Sequence, residues 1–406
     1  MTIHDKIKKL ILSNIKKPNE RTIGIEIENI IYNNKNERLP VNPGNHFSCF
    51  DLLQNLNDLI GKNGQYSLEP GGQLEWASPP FKSLYDLQNA INEQNALLKN
   101  ILDKNNLILV PYGVDPNFSP KDIELISEKR YQLMNIHMKK NGSMGRWMMR
   151  CTSSIQVNLD VSGENDMEEM VFIADSLHPI ASYLFSNSPF KNNVATKTNL
   201  RNNIWLNTDH KRCNNLFDHD IYSTKNLINK YINYFLSVPA IYTLDHDGKT
   251  IEAKYHFSEL LTQLDTEGIL NESYILTFLR QIFTNVRLKN LVEIRGADRT
   301  PEGFEIAPAA FWVGILHDDF IRSKVLDEIS SWNKKDRYLL NQSSLYLDKN
   351  KIGPKNKIYG EWIEFFGGLA LEGLKVRSNK DHYLFEDFFN IIISEGPFSL
   401  QAQKHE

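Results

Sequence analysis

Apolar and polar residues alternate in four regions of the chain. This pattern predicts β-strands with one apolar and one polar face, because the side-chain period of a strand is two. In Arg21–Asn33 (RTIGIEIENIIYN) the alternation sets Glu26 and Glu28 opposite a row of isoleucines. The other regions are Tyr66–Pro80, in which Pro70-Gly71-Gly72 joins two extended segments, Ser154–Asp160 and Leu291–Asp298. Their polar faces are rich in carboxylates and poor in lysines.

Five glutamates on these segments would repel one another if their strands shared one face of a sheet. They are Glu26, Glu28, Glu69, Glu75 and Glu293. For any single segment, a solvated outer face is the simpler interpretation. Cations between the carboxylates would remove the repulsion, and oxygen ligands suit hard cations such as Mg2+ or Mn2+. The segments together therefore predict a polar-lined sheet that holds divalent metal, with helices covering its apolar side.

Helical spacing of apolar residues accounts for much of the remaining chain. The predicted helices are Leu84–Leu102, Asp122–Lys140, Asp166–Phe185 with a bend at Pro179, Ser273–Ile282, Trp312–Leu326, Tyr359–Val376 and Asp387–Ile393. A buried strand is expected at Leu107–Val110 and a hairpin around Asp247-Gly248. The fold class is α+β. Residues 1–330 would form a catalytic domain and residues 331–406 a helical part packed on it, although a single domain also fits.

Composition narrows the classes of function. The chain has 406 residues, 41% of them hydrophobic, and a net charge of -4, so it lacks a basic field for nucleic acid. No apolar run approaches the roughly 20 residues that span a bilayer, and the amphipathic N-terminus lacks the features of a signal peptide. The cysteines Cys49, Cys151 and Cys213 form no CxxC pattern, which favours free thiols in a reducing cytoplasm. We expect a cytoplasmic monomer or homodimer that binds neither nucleic acid nor membrane.

Several common active-site motifs are missing from the sequence, among them GxxxxGK[ST], GxGxxG, GxSxG and HExxH. A nucleotide could still bind through carboxylate-held metal ions that bridge its phosphates, while arginines neutralise the remaining charge. Arg295 lies on the same predicted strand face as Glu293 and suits that role, although a structural ion pair between them is also compatible. Arg287 precedes it and could be an ordinary solvated strand residue.

A second polar group comprises Arg130-Tyr131 and Arg201 with Trp205. Arginine can grip a carboxylate through two parallel hydrogen bonds. A carboxylate substrate beside a metal-bound nucleotide suggests activation of the carboxylate as an acyl phosphate, which an amine then attacks. A phosphohydrolase would use similar metal ligands, so the residues alone leave both reactions open.

Several sequence blocks, taken in order, resemble the second family of glutamate–cysteine ligases, which contains plant and proteobacterial enzymes. The blocks include GIEIE (Gly24–Glu28), SLEPGGQLE (Ser67–Glu75), RYQLM (Arg130–Met134), GRWMMRCTSSIQVNLD (Gly145–Asp160), RNNIW (Arg201–Trp205) and VRLKNLVEIRGAD (Val286–Asp298). Around Gly145–Asp160 the chain is closer to the actinobacterial ligases of the ergothioneine pathway. The resemblance spans nearly the whole chain.

The resemblance implies a glutamine-synthetase-like catalytic fold, in which a curved antiparallel sheet forms a polar funnel. ATP and glutamate would meet there over Mg2+, and cysteine would be the acceptor of the γ-glutamyl group. The implied metal ligands are Glu26, Glu28, Glu69, Glu75 and Glu293. The implied catalytic residues are Arg295 and Glu69, with Arg295 and Arg287 binding the nucleotide. The implied substrate-binding residues are Arg130, Tyr131, Thr152, Gln156, Arg201 and Trp205.

Departures from the family pattern keep alternatives open. Arg150-Cys151 stands where plant and proteobacterial members have a different block, and Phe278 replaces a histidine common in the family. The hairpin around Asp247-Gly248 lacks the cysteines of the regulatory disulfide in plant members. One alternative is a ligase that joins glutamate to another amine. The others are a non-catalytic amino-acid or metal sensor and a Mg2+-dependent phosphohydrolase.

Overall fold

A seven-stranded antiparallel sheet forms the centre of the structure, a computed structural model that describes residues 1–378 and 380–404. The strands are β1 (Ile23–Asn33), β2 (Gln65–Leu68), β3 (Leu74–Ala77), β4 (Leu107–Val110), β5 (Ser154–Leu159), β6 (Val286–Leu288) and β7 (Val292–Asp298). Their order is β6-β7-β5-β1-β3-β2, and β4 pairs with the C-terminal part of β1. The alternation in the sequence therefore predicted β1, β2, β3, β5 and β7, and the apolar run at Leu107–Val110 predicted β4.

The remaining regular structure is mainly helical. The helices are α1 (Ile3–Ile11), α2 (Cys49–Ile60), α3 (Leu84–Lys104), α4 (Lys129–Asn141), α5 (Gly145–Cys151), α6 (Glu164–Leu184), α7 (Leu200–Leu206), α8 (Leu227–Ser237), α9 (Phe257–Thr266), α10 (Glu272–Leu279), α11 (Ala307–Leu316), α12 (Asp319–Ile329), α13 (Lys334–Leu345), α14 (Tyr359–Arg377), α15 (Tyr383–Glu395) and α16 (Phe398–Lys404). Short two-stranded pairs join 190–191 to 194–195, 213–214 to 283–284, and 242–244 to 250–252. The last pair is the predicted hairpin.

The register of the sheet brings charged residues of different strands side by side. Glu28 on β1 lies opposite Glu75 on β3, and Glu26 lies opposite Gln156 on β5. At the other edge Arg287 on β6 lies opposite Glu293 on β7. Because opposite residues of an antiparallel pair have neighbouring side chains, the polar face of the sheet concentrates these groups.

A β-bulge interrupts the pairing of β7 with β5 between Ile294 and Ala297. The extra residue on β7 falls at Arg295-Gly296, and such bulges re-aim side chains near functional sites. A Cβ at Gly296 would lie 2.4 Å from Cδ2 of His178 on α6. Glycine is therefore required at position 296, where the bulge contacts α6.

The apolar face of the sheet packs on α6 and α11, and α14 packs on α11 in turn. A Cβ at Gly373 of α14 would lie 1.9 Å from the carbonyl oxygen of Gly314 in α11, so the two helix backbones lie in close contact. One cluster of buried side chains extends from Ile7 to Ile392 and crosses residue 330. The helices after residue 330 thus share the core of the sheet. Residues 379, 405 and 406 of the predicted C-terminal part lie outside the described residues.

Two predicted helices differ from the structure. The helix expected from Asp122 begins at Lys129, because the carboxylate of Asp122 accepts a hydrogen bond from Ser119 N and that of Glu124 accepts bonds from Val41 N and Asn42 N. These bonds hold 119–124 as a turn and loop.

The helix expected over Trp312–Leu326 is divided into α11 and α12. Asp318 starts α12 by accepting hydrogen bonds from the backbone N–H groups of Phe320 and Ile321. Aspartate is a strong N-cap, and its presence inside the predicted helix marks the break.

The amphipathic N-terminus forms α1, whose buried Ile7, Leu10 and Ile11 dock it on the protein. Thr2 and Asp5 form a capping box at its start. No helix within 1–378 or 380–404 is both long and apolar enough to cross a membrane.

Candidate active site

The polar face of the sheet lines a cavity of about 240 Å³. All the site residues that the sequence predicts lie on its wall: Glu26, Glu28, Glu69, Glu75, Arg130, Tyr131, Thr152, Gln156, Arg201, Trp205, Arg287, Glu293 and Arg295. The structure thus brings the whole predicted set together, and its geometry divides the set into groups of opposite charge.

Three carboxylates form the first group, which we term the carboxylate cluster: Glu28, Glu69 and Glu75. Each offers one oxygen, and these oxygens lie within 4.8 Å of one another. Burial, reinforced by the charge of Glu28, raises the pKa of Glu69 to about 7. Burial and the neighbouring carboxylates also hold the pKa of Glu75 well above its ordinary value. The cluster is therefore short of positive charge.

The loop Glu69–Gln73 fixes the position of Glu69. Its ends are joined by the hydrogen bond from Glu69 N to Gln73 O, 2.9 Å long, and Gly72 has a positive φ of 78°. The side-chain amide of Gln73 donates to Thr152 O at 2.8 Å. A Cβ at Gly71 would lie 2.6 Å from Cα of Arg150. Both glycines are thus needed, one for the turn and one for close approach to α5.

The carboxylate cluster suits a hard divalent cation. Ser67 Oγ donates to Glu75 at 2.9 Å and Gln156 Nε2 donates to Glu28 at 3.1 Å. In the described part of the chain, no lysine or arginine forms an ion pair with these three carboxylates. Converging carboxylate oxygens without a protein counter-ion are the donor set that Mg2+ and Mn2+ prefer. Glu26 lies on the same wall, where it accepts a hydrogen bond of 3.0 Å from Asn158 Nδ2.

Glu293 has a different environment from the other glutamates. Its carboxylate accepts hydrogen bonds from both Nε and Nη2 of Arg287, the second at 2.8 Å, and contacts Nζ of Lys289 at 3.2 Å and Nη1 of Arg295 at 3.4 Å. Burial alone would raise the pKa of Glu293, but these three cations outweigh it and hold that pKa well below its ordinary value. We term Arg287, Lys289 and Arg295 the cationic wall.

Arg295 links the two groups. Its Nη1 donates to Oε1 of Gln156, whose amide in turn donates to Glu28. Only 13% of the Arg295 side chain is exposed, and it lies over the ring of Trp205 at 5.9 Å. The β-bulge places this guanidinium between the carboxylate cluster and Glu293, where it can contact a bound anion without losing its protein partners.

Arg201 and Trp205 of α7 provide buried donors at one end of the cavity. Arg201 Nη2 donates to Arg295 O at 3.2 Å, and its guanidinium lies 3.9 Å from Asp298. Within 1–378 and 380–404, Nε of Arg201 and Nε1 of Trp205 are buried and have no hydrogen-bond partner. Unpaired buried donors are costly, so these two N–H groups are suited to a ligand oxygen.

The other predicted substrate-binding residues lie on α4 and after α5. Arg130 is 45% exposed, pairs with Glu128 at 2.9 Å and lies over the Tyr131 ring at 4.5 Å. Thr152 is buried, and its hydroxyl donates to Met148 O at 2.6 Å. Arg130 can therefore reach a ligand at the mouth of the cavity, whereas the Thr152 hydroxyl already donates a hydrogen bond to the backbone.

Other residues that line the cavity were not predicted as site residues: Gln73, Met134, Met148, Met149, Ser154, Tyr242, Arg280, Phe283 and Lys289. Lys289 follows Arg287 by two positions, which is the spacing of one strand face, so the alternation could have identified it. The methionines stood in the resemblance blocks without a role. Arg280 follows α10, and no local pattern distinguishes it from a surface arginine.

Arg150 and Phe278, two of the residues that depart from the family pattern, do not line the cavity. Arg150 donates to the carbonyl oxygens of Pro120 and Ile123, at 2.7 and 3.0 Å. Phe278 is fully buried, with its ring centroid 5.1 Å from that of Phe257. Arg150 therefore binds the loop before α4, and Phe278 packs in the core.

Comparison with known proteins identifies relatives of the chain. Residues 22–358 match the model of a family described as glutamate–cysteine ligase family 2. A chloroplastic glutamate–cysteine ligase A of Oryza sativa subsp. indica is 34% identical over 306 residues, covering 72% of this chain and 60% of the rice protein. The chloroplastic enzyme of Medicago truncatula is 33% identical over 351 residues, covering 82% and 66%. The matched region thus spans 60 to 66% of the length of these relatives.

Two solved structures are similar in fold. The glutamate–cysteine ligase of Francisella tularensis in complex with AMP has a TM-score of 0.62 at 14% identity, covering 96% of this chain and 86% of that chain. A bifunctional glutathione synthetase of Pasteurella multocida has a TM-score of 0.52 at 13% identity, covering 99% and 50%. The α+β fold expected from the sequence is confirmed.

Proposed function

The chain belongs to glutamate–cysteine ligase family 2, and from this premise we propose that it joins glutamate to cysteine in an ATP-dependent reaction. The product would be γ-glutamylcysteine, the first intermediate on the way to glutathione or a related thiol. One observation carries the proposal: the carboxylate cluster and the cationic wall line the same cavity. A reaction between a metal-bound polyphosphate and a carboxylate needs both.

The cavity can hold Mg2+, or Mn2+, on Glu28, Glu69 and Glu75. We propose Glu26 and Glu293 as further ligands, although Glu293 is already neutralised by the cationic wall. When bound, a divalent cation neutralises phosphate oxygens and positions them for transfer. It would also relieve the repulsion within the carboxylate cluster.

The cationic wall is the proposed binding site of the transferred phosphate. Arg295 and Arg287 would contact the phosphate oxygens of ATP, and Arg295 would stabilise the charge that spreads over them during transfer. Glutamate would bind with its carboxylate on Arg201 and Arg130, near Trp205, Tyr131, Thr152 and Gln156. The unpaired N–H groups of Arg201 and Trp205 support this placement.

The reaction has two steps. An oxygen of the glutamate γ-carboxylate attacks the γ-phosphorus of ATP, and the bond to ADP breaks, which gives γ-glutamyl phosphate. The cysteine amine then attacks the γ-carbonyl carbon, loses a proton and expels phosphate. Exclusion of water from the cavity would protect the acyl phosphate between the steps.

We also propose the cellular compartment and the partners of the protein. Cys49, Cys151 and Cys213 are buried free thiols, which supports a reducing compartment such as the cytoplasm. The named plant relatives are described as chloroplastic. We propose small-molecule partners only, namely ATP, glutamate and cysteine, for a monomer or homodimer.

Release of ADP from ATP and Mg2+ tests this function. We expect ADP only when glutamate and cysteine are both present, in equal amount to γ-glutamylcysteine, and none from the Glu69→Gln variant. Equal ADP release without any amine would instead indicate a phosphohydrolase. Preference for a different amine would indicate another carboxylate–amine ligase, and binding without turnover would indicate a sensor.

A further inference from the structure

Arg280 differs from the other cations that line the cavity. Arg287, Lys289 and Arg295 bind Glu293, Arg201 contacts Asp298, and Arg130 pairs with Glu128. The Arg280 side chain is exposed and lines the cavity. Across the residues that the structure describes, its guanidinium forms no ion pair or hydrogen bond. It is thus a positive charge available to a substrate.

The backbone of Arg280 is fixed even though its guanidinium is free. Its N–H donates to Leu276 O at the end of α10, and its carbonyl oxygen accepts a hydrogen bond of 3.2 Å from Nη1 of Arg287. Arg287 in turn binds Glu293. The start of the Arg280 side chain is therefore tied to the cationic wall, which limits the positions its guanidinium can reach.

Tyr242 connects Arg280 with the other side of the cavity mouth. The strand 242–244 contacts both α10 and α4. Burial raises the pKa of the Tyr242 hydroxyl, and the nearby charges of Arg130 and Arg280 oppose that rise. The mouth is thus bordered by α4, Tyr242 and Arg280.

The side of the mouth formed by α4 continues into an apolar surface. Met134 of α4 and Met148 and Met149 of α5 line the cavity, and we term them the methionine wall. The two helices contact one another, and the three side chains are at least nine-tenths buried. Thioethers are polarizable and offer no hydrogen-bond donor, so they suit a thiol or a small alkyl group better than a hydroxyl.

We propose that Arg280 binds the α-carboxylate of the acceptor amino acid, whose side chain lies against the methionine wall. The inference rests on the proposed ligase function and specifies its acceptor site. An acceptor amino acid brings a carboxylate into a cavity that already holds Glu26 and the carboxylate cluster. It therefore needs a cation, and Arg280 is the one that no described protein group engages.

Paired substrates test the role of Arg280. Cysteamine has the thiol and amine of cysteine but lacks the carboxylate. Loss of a hydrogen-bonded charge pair predicts that Arg280→Met lowers kcat/KM for cysteine about 10- to 100-fold. The same variant should leave kcat/KM for cysteamine and the KM of ATP and glutamate within about 3-fold of wild type. For cysteine, kcat/KM of Arg280→Lys should lie between the values of wild type and Arg280→Met.

Lys129→Met is the matched control. Lys129 is exposed on α4 next to Arg130 but does not line the cavity, so its loss removes the same charge without a substrate contact. We expect its preference for cysteine over cysteamine to equal that of wild type. Equal melting temperatures of all variants would exclude a folding effect.

Four outcomes would overturn the inference. If Arg280→Met lowers the rates with cysteine and cysteamine equally, the residue does not bind the acceptor carboxylate. A rise in the KM of glutamate alone would assign Arg280 to glutamate. If wild type uses serine as well as 2-aminobutyrate, the methionine wall does not select the side chain. Absence of amine-dependent ADP release in wild type would overturn the ligase function as well, which separates the two failures.

Discussion

The same substitution should have opposite effects on stability at two glutamates of one cavity. Glu69→Gln removes a charge from the carboxylate cluster, whereas Glu293→Gln removes the counter-ion of the cationic wall. Both changes keep the shape of the side chain. We predict that, without metal at pH 8, the first raises the free energy of unfolding and the second lowers it.

The pKa of Glu69 sets the size of the first effect. The difference between its ordinary value of 4.5 and about 7 corresponds to about 3 kcal/mol. Because the pKa is higher in the folded than in the unfolded protein, the folded state loses stability as the pH rises from 4.5 to 7. Water in the cavity screens part of this cost, so we expect Glu69→Gln to gain about 1 to 3 kcal/mol at pH 8.

The environment of Glu293 sets the size of the second effect. Its side chain is fully buried and contacts Arg287, Lys289 and Arg295. Removing one partner of a buried ion pair typically costs about 3 to 5 kcal/mol, because the remaining charges stay buried without compensation. Glu293→Gln should therefore be destabilised by about that amount.

Urea unfolding of both variants and wild type in the presence of a chelator measures these effects. At pH 5, where Glu69 is protonated in the folded protein, the gain from Glu69→Gln should disappear. Adding Mg2+ at pH 8 should stabilise wild type more than Glu69→Gln. If both variants shift in the same direction, the division of the cavity into a carboxylate cluster and a compensated Glu293 is wrong.

Three further predictions concern other parts of the molecule. Arg295→Ala should lower kcat about 10²- to 10³-fold in a protein that still unfolds cooperatively, and near-normal turnover would remove Arg295 from the site. Gly373→Ala should cost about 2 kcal/mol or more of unfolding free energy, since its Cβ would overlap Gly314. The control Gly368→Ala, on the exposed face of the same helix, should gain up to about 1 kcal/mol, and equal effects would contradict the close packing. Burial lowers the pKa of His178 to about 3. Below pH 6.5 the unfolded chain therefore binds a proton at His178 that the folded protein does not, and the free energy of unfolding falls by about 1.4 kcal/mol for each unit by which the pH decreases. His178→Asn should reduce that slope between pH 6.5 and 4.5 in thermal unfolding, and an unchanged slope would show that His178 is not its source.

The sequence predicted the sheet well and placed the strand residues of the candidate site on one face, because both follow from local alternation. Glu26 and Glu28 face the same side of β1 for the simple reason that they are two residues apart. The Pro70-Gly71-Gly72 sequence likewise predicts the turn that positions Glu69. Polar faces of paired strands meet, so the candidate site residues on the strands followed from the alternation. Arg130 and Tyr131 on α4 and Arg201 and Trp205 on α7 were instead named from arginine chemistry and from the family resemblance.

The division of charge within the site could not be predicted from one strand at a time. Glu293 looked like the other four glutamates, but the pairing of β6 with β7 sets Arg287 directly opposite it. That register depends on the turn between the strands, where Lys289 and Leu291 are joined by a backbone hydrogen bond. Arg280 was missed for a similar reason, since only tertiary contacts bring the end of α10 to the cavity mouth.

The predicted helix boundaries were wrong where side chains accept hydrogen bonds from the backbone. Asp122, Glu124 and Asp318 all accept backbone hydrogen bonds, which favour turns and helix starts over helix interiors. Helix α5 was not predicted, because its seven residues are too few to show a periodic pattern.

Transfer of an oxygen atom from glutamate to phosphate tests the proposed reaction most directly. With 18O in the γ-carboxylate of glutamate, attack on ATP and later expulsion by the cysteine amine would leave one 18O in each phosphate released. Mass spectrometry of the phosphate should therefore show one labelled oxygen per molecule of γ-glutamylcysteine. Unlabelled phosphate would mean that water, and not the glutamate carboxylate, attacks ATP, which would contradict the proposed ligase function.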